Sequence, residues 1–133
     1  MEKQHFNYGS WTRGRFSEAV TVTGPGKMIF LAGIGAEHEE TGEIQHIGDF
    51  DGQCRYAYEK LAKVLERNGA TLKDVVKQVT YVTDVRYFRQ AGEGRSAAYG
   101  DNPLPAHTFL VVSQLAWPGM LVEIDVIAMI GDD

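Results

Sequence analysis

His107 and Glu123 stand in two runs that otherwise read as strands, PLPAHTFLVV at 103–112 and MLVEIDVIA at 120–128. An imidazole and a carboxylate suit proton transfer near neutral pH. The carboxylate orients or deprotonates a water, and the imidazole donates or accepts the proton a leaving group needs. A carboxylate flanked by Val122 and Ile124 must be paired, solvated in a cleft or protonated, because burying it alone is costly. The plain structural alternative for Glu123 is a hydrogen bond between subunits; for His107 it is a cap or rim position at a strand start. Asp125, about 7 Å along the same strand face, is either a second cleft carboxylate or a surface group. As antiparallel neighbours, the two strands would bring His107 and Glu123 within reach, and a nearby carboxylate would keep the imidazole protonated.

The elements that must position these groups follow from hydropathy. Residues 18–34, EAVTVTGPGKMIFLAGI, predict two strands around a Gly24-Pro25-Gly26 hairpin turn. Residues 35–47 predict a polar loop with at most a short strand near 43–46. From Asp49 the period changes. Phe50, Cys54, Ala57, Tyr58, Leu61, Val64 and Leu65 recur at helical spacing, with Asp49 as N-cap and Asn68-Gly69 as the stop. DVVKQVTYVTD at 74–84 is β-branched and roughly alternating, which predicts a strand. YFRQAGEGRSAAYG at 87–100 predicts a second helix, weakened by Gly92 and Gly94. Strands at 107–114 and 120–130 complete a β-β-α-β-α-β-β order over one domain, 1–133. This order predicts an α+β fold, a sheet with two helices packed on one face.

In the last strand Val122, Ile124, Val126, Ala128 and Ile130 point one way, while Leu121, Glu123, Asp125, Ile127 and Met129 point the other. Two helices cover only one face. The apolar residues left on the second face predict a partner subunit, so a homo-oligomer is expected from the pattern.

Composition and motifs remove other function classes. The formal net charge of −5 weighs against a nucleic-acid partner. The one cysteine, Cys54, sits on the apolar helix stripe and reads as a buried thiol; it excludes an internal disulfide and a CxxC motif. GPGK at 24–27 has Thr21 where a phosphate loop needs glycine and Met28 after the lysine. GEGRSA at 92–97 lacks the third glycine of a dinucleotide fingerprint. His38, Glu39, Glu40 and His46 lack regular ligand spacing and read as a solvated turn, so no metal and no cofactor is expected. No apolar run approaches a membrane span and no signal peptide is apparent, which predicts a cytoplasmic protein without a membrane partner.

From about Gly14 to Ile130 the chain resembles the RidA/YjgF family of small trimeric enamine/imine deaminases. The resemblance rests on GRFSEAV at 14–20, IFLAGIG at 29–35, TGEI at 41–44 and LAKVLERNGATLKDVVK at 61–77. It continues through VTYVTDVRYF at 79–88, PAHTF at 105–109 and LVEIDVIA at 121–128, with order and spacing kept. It implies a chorismate-mutase-like mixed sheet, a homotrimer, and clefts at the subunit interfaces. It also implies that Glu123 matches a strand glutamate that positions the attacking water, and that Ser17 and Gly33 match substrate-site positions. His107 stands where the family's deaminases carry an arginine that grips the substrate carboxylate. Phe16 replaces a usual tyrosine, Ala32 a frequent serine and Gly92 a frequent asparagine.

The expected function is therefore hydrolysis of an enamine, imine or related small reactive metabolite. Glu123 and His107 are the expected catalytic pair, and Phe16, Ser17, Ala32, Gly33, Phe109 and Arg95 line the substrate site. Histidine lacks the planar fork of arginine. Either the substrate differs from a small 2-imino acid, or the cation comes from Arg13, Arg15 or Arg95. A non-catalytic binding trimer is the second reading, and an endoribonuclease or translation inhibitor the third.

Overall fold

The computed structural model describes residues 1–132. Strand β1 (Glu2–Phe6) pairs antiparallel with β2 (Ala19–Thr23), Gln4 opposite Thr21, as a two-stranded ribbon. A four-stranded sheet holds β3 (Gly26–Phe30), β4 (Val75–Val82), β5 (Ala106–Val111) and β6 (Val122–Gly131) in the order β3-β6-β4-β5. Helix α1 (Phe50–Arg67) links β3 to β4, and α2 (Phe88–Tyr99) makes the crossover between the parallel strands β4 and β5. The other pairings are antiparallel. The expected α+β architecture with two helices is present.

Helix α1 begins where the Asp49 carboxylate accepts the Gly52 N–H at 3.0 Å, and it ends at Asn68 before Gly69, whose φ is +81°. Its stripe of Phe50, Cys54, Ala57, Tyr58, Leu61 and Leu65 is buried on Val122, Ile124, Val126 and Ala128 of β6 and Val75 and Val82 of β4. The opposite sheet face is apolar and uncovered. Met28 and Phe30 of β3 and Leu110 of β5 are exposed there, and Ile127 and Met129 of β6 are only partly buried. No helix among the described residues is long and apolar enough to cross a membrane.

Three expectations are corrected, and one strand, β1, is added to those the sequence predicts. The Gly24-Pro25-Gly26 segment is not a hairpin turn, because β2 pairs with β1 while β3 pairs with β6 in the other sheet. β1 carries no hydropathy signal: all of EKQHF except Lys3 is exposed. The short strand near 43–46 reduces to one bridge between Glu37 and Ile44. Finally, β5 and β6 are not neighbours. β4 lies between them, with Gln78 opposite His107 and Tyr81 opposite Glu123.

That last register separates the two ionisable groups. Gln78 and Thr80 bond beneath the helices, so His107 and Phe109, their cross-strand partners, face the helices too. Glu123 alternates with the buried Val122 and Ile124 and faces the uncovered side. The expectation that the two strands, as antiparallel neighbours, bring His107 and Glu123 within reach of each other is overturned within one chain.

α1 and α2 touch through Gly94, where an added Cβ would lie 2.5 Å from the buried Cys54 Sγ. Gly94→Ala gains about 1 kcal/mol of helix propensity and loses about 1–3 kcal/mol to overpacking. Urea unfolding should show it net destabilising by about 1 kcal/mol in the native background, and stabilising when Cys54→Ala removes the sulfur.

Candidate functional site

The helix side of the sheet carries a pocket of about 630 Å³. Trp11, Phe16, Phe88 and Phe109 supply its aromatic wall, and Arg95 and His107 its polar end. Phe16 is placed by a turn: its N–H donates to the Thr12 carbonyl at 3.1 Å, and its own carbonyl accepts from Asn7 Nδ2 at 2.8 Å. The next residue stitches that turn to β5. Ser17 N–H donates to the Pro105 carbonyl and its hydroxyl to the Leu104 carbonyl at 2.7 Å. Ser17 is thus buried and directed away from the pocket, a positioning group rather than a ligand contact. Trp11 meets Phe16 edge-on at 5.7 Å, and Phe88 meets Phe109 at 5.2 Å.

Glu18 orders the loop that presents Trp11. Its carboxylate accepts from Thr12 Oγ1 at 2.6 Å and from the N–H groups of Gly9 and Tyr8, and these bonds, that from Thr12 foremost, lower its pKa.

His107 is held at both ring nitrogens. Thr80 Oγ1 lies 2.8 Å from Nε2, and Arg95 Nη1 lies 2.9 Å from Nδ1 and 3.0 Å from Nε2. Arginine only donates, so the nitrogen that receives it must offer a lone pair. Burial, with the charges of Arg95 and Lys77 added, pushes the imidazole down to about 3. Among the described residues the charges acting on His107 are cations, Arg95 and Lys77, and not the carboxylate expected beside it. With cations rather than a carboxylate beside it, the ring is uncharged near neutral pH.

The uncovered side carries the second cluster. Ile34 exchanges two backbone hydrogen bonds with Ile124, both 2.8 Å, which lays the 31–36 segment along β6. Gly33 then sits directly on Glu123: an added Cβ would lie 2.6 Å from its carboxyl carbon. Only glycine permits that approach without displacing the carboxylate. Ala32 beside it is exposed. Burial, then Glu37 and Asp125, raise the Glu123 pKa. Glu37 is itself paired with Lys60, Nζ to Oε1 at 3.6 Å.

The expected site residues therefore fall into two sets. Phe16, Phe109, Arg95 and His107 come together on the helix side; Ala32, Gly33 and Glu123 come together on the other. Trp11, Phe88, Thr80 and Glu37 are contributors that sequence reasoning missed. For Thr80 a signal existed, a polar residue at an inward position of a β-branched strand; for Trp11 none did.

Comparison with known proteins bears on what such an arrangement belongs to. A family model described as Endoribonuclease L-PSP matches residues 10–130. A RutC family protein of Pyrococcus abyssi is 36% identical over 115 residues, 86% of each chain. The chain belongs to the RidA/YjgF family. Within it, the solved structure of the Rid protein YyfB from Yersinia pestis, described as of unknown function, is similar at a TM-score of 0.86 and 29% identity, covering 98% of this chain and 100% of that one. RidA from an Antarctic Psychrobacter is similar at a TM-score of 0.71 and 30% identity, covering 89% and 90%.

The neutral His107 has a pH consequence. Between its ordinary 6.5 and about 3, the unfolded chain binds a proton at this position that the folded chain does not. Stability from this group therefore falls as pH drops through that window, by up to about 1.4 kcal/mol per unit. His107→Gln should show a shallower acid decline than the native protein in denaturant melts from pH 7 to 4. Glu123, whose raised pKa works in the opposite sense, is common to both and cancels.

Proposed function

We propose that this protein is an imine/enamine deaminase-type hydrolase working at clefts between the subunits of a homotrimer. The observation that carries the reading is Glu123, a carboxylate with a raised pKa held against the Gly33 backbone on an uncovered apolar sheet face. The placement of the aromatic pocket and Glu123 on opposite faces supports a site completed by two copies, each supplying one half. Exposed Met28, Phe30 and Leu110 favour assembly through the uncovered face.

The chemistry asks for little. Water attacks the C=N carbon while Glu123 orients it and takes a proton; nitrogen gains protons and leaves as ammonia, and a carbonyl remains. His107, neutral and engaged at both nitrogens, is a poor proton shuttle. Its role in this reading is to hold Arg95. Ionised Glu123 is the active form, so turnover falls as pH drops through its raised pKa, above the ordinary carboxylate range.

The test is ammonia release from 2-aminoacrylate and its imine, generated in situ by a dehydratase. Wild type should accelerate release, and Glu123→Gln should lower kcat about 100-fold or more. Gly92 lines the pocket with nothing within 4 Å of an added Cβ, so Gly92→Trp plugs it without a backbone clash. Glu123→Gln and Gly92→Trp subunits, each inactive alone, should recover about a quarter of native activity when refolded together, if each site joins two subunits. No acceleration by wild type would favour binding without turnover, a reading that the neutral His107 supports. Endoribonuclease activity, named in the family model's description, ranks last because a net charge of −5 opposes phosphate binding.

A further inference from the structure

Behind His107 runs a row of buried polar side chains that the proposed hydrolysis leaves unused. Tyr99 OH donates to Gln78 Oε1 at 2.7 Å; Gln78 Nε2 donates to Tyr58 OH and to Thr80 Oγ1, both at 2.9 Å. Thr80 Oγ1 meets His107 Nε2, and His107 Nδ1 meets Arg95. Gln78, Thr80 and Tyr99 are almost wholly shut from solvent. Such a row is costly unless every member is satisfied, and a satisfied row is rigid. Arginine only donates, and its shorter contact is to Nδ1; with that lone pair given to Arg95, Nε2–H donates to Thr80 Oγ1. In that arrangement His107 carries its proton on Nε2, and the row ends on a guanidinium.

Arg95 lies at the polar end of the aromatic pocket, half-buried, and no ion pair ties it to a carboxylate among the described residues. Glu93 is the one carboxylate that also lines the pocket, and it is exposed. A partly desolvated guanidinium without a counter-ion, aimed by a rigid hydrogen-bond row, is suited to a carboxylate. Four aromatic rings form the apolar wall, Arg15, Arg89 and Ser96 also line the pocket, and the space over Gly92 is open, roomier than a three-carbon acid needs. We infer that Arg95, positioned by neutral His107 and the Thr80–Gln78–Tyr99 row, anchors the carboxylate of a substrate that carries an aromatic side group. This deepens the hydrolase reading and rests on it only for the reaction, not for the binding.

The experiment uses inert probes on the assembled protein, so binding is read without turnover. By titration calorimetry, 3-phenylpropanoate should bind at least tenfold tighter than propanoate, which lacks the ring, and than 3-phenylpropanol, which lacks the charge. Arg95→Met should erase the advantage of the acid over the alcohol, and Arg95→Lys should keep part of it. Thr80→Val should reduce that acid-to-alcohol ratio, whereas a merely structural defect would weaken both probes alike. Imidazole ¹⁵N shifts should show His107 protonated at Nε2 and bare at Nδ1. Equal binding of the acid and the alcohol, an unchanged ratio in Arg95→Met, or propanoate binding as tightly as 3-phenylpropanoate would overturn the inference. So would a proton on Nδ1. Selective binding without ammonia release from either 2-aminoacrylate or the imine of phenylalanine, generated in situ by an amino-acid oxidase, would instead remove the hydrolase reading and leave the anchor standing.

Discussion

The two-residue period of β6, fixed by pairing on both edges, is the constraint from which the other features follow. β3 and β4 flank this strand, so its backbone has no freedom to roll, and each side chain is committed to one face. Val122, Ile124, Val126 and Ala128 supply the floor on which α1 packs. The alternate positions then have no choice but the uncovered side, and Glu123 is among them. The strand that holds the core together is thus the one that displays the carboxylate. A one-residue slip would bury Glu123 under α1 and expose the core residues, so register and site are a single structural fact.

The same reasoning places the second half of the site. Because β4 intervenes between β5 and β6, residues opposite Gln78 and Thr80 share their helix-side orientation. His107 is thereby assigned to the interior, where a charged imidazole would be poorly solvated and close to two cations. The fold resolves this by keeping the ring neutral and letting Arg95 carry the charge at the pocket. An arginine on α2 and a histidine on β5 together can present what one strand arginine would, with the guanidinium displaced toward the aromatic wall.

Much of the fold was legible in the sequence because its signals are local. The α1 stripe, the Asp49 cap and the alternation of 121–130 each involve residues close along the chain, and the structure places them as the periods require. Strand partnership is not local. Nothing in GPGK says that β2 and β3 belong to different sheets, and nothing in AHTFLV says that β4 stands between His107 and Glu123. β1 was invisible for a different reason: an exposed ribbon buries neither face, so EKQHF has no period to read. Of the site, residue identities were legible and their division between two faces was not, because that depends on register across three strands. Gln78 and Thr80 were readable in principle, since two polar residues at alternate positions of an otherwise β-branched strand must be satisfied by something.

Gly33 shows how a small residue can set the chemistry of a large one. The reciprocal Ile34–Ile124 bonds draw the 31–36 segment onto β6, and the missing side chain at 33 lets backbone rather than solvent cover one side of the Glu123 carboxyl. Backbone cover desolvates the carboxylate without supplying a compensating cation, because Lys60 is already engaged by Glu37. The pKa therefore rises, and it does so through shape and nearby negative charge rather than through a dedicated partner. A side chain at 33 would displace the carboxylate from the backbone it now lies against. The base strength of the candidate water-positioning group thus follows from burial and from the neighbouring Glu37 and Asp125, and the glycine at 33 is what lets the backbone lie so close to it.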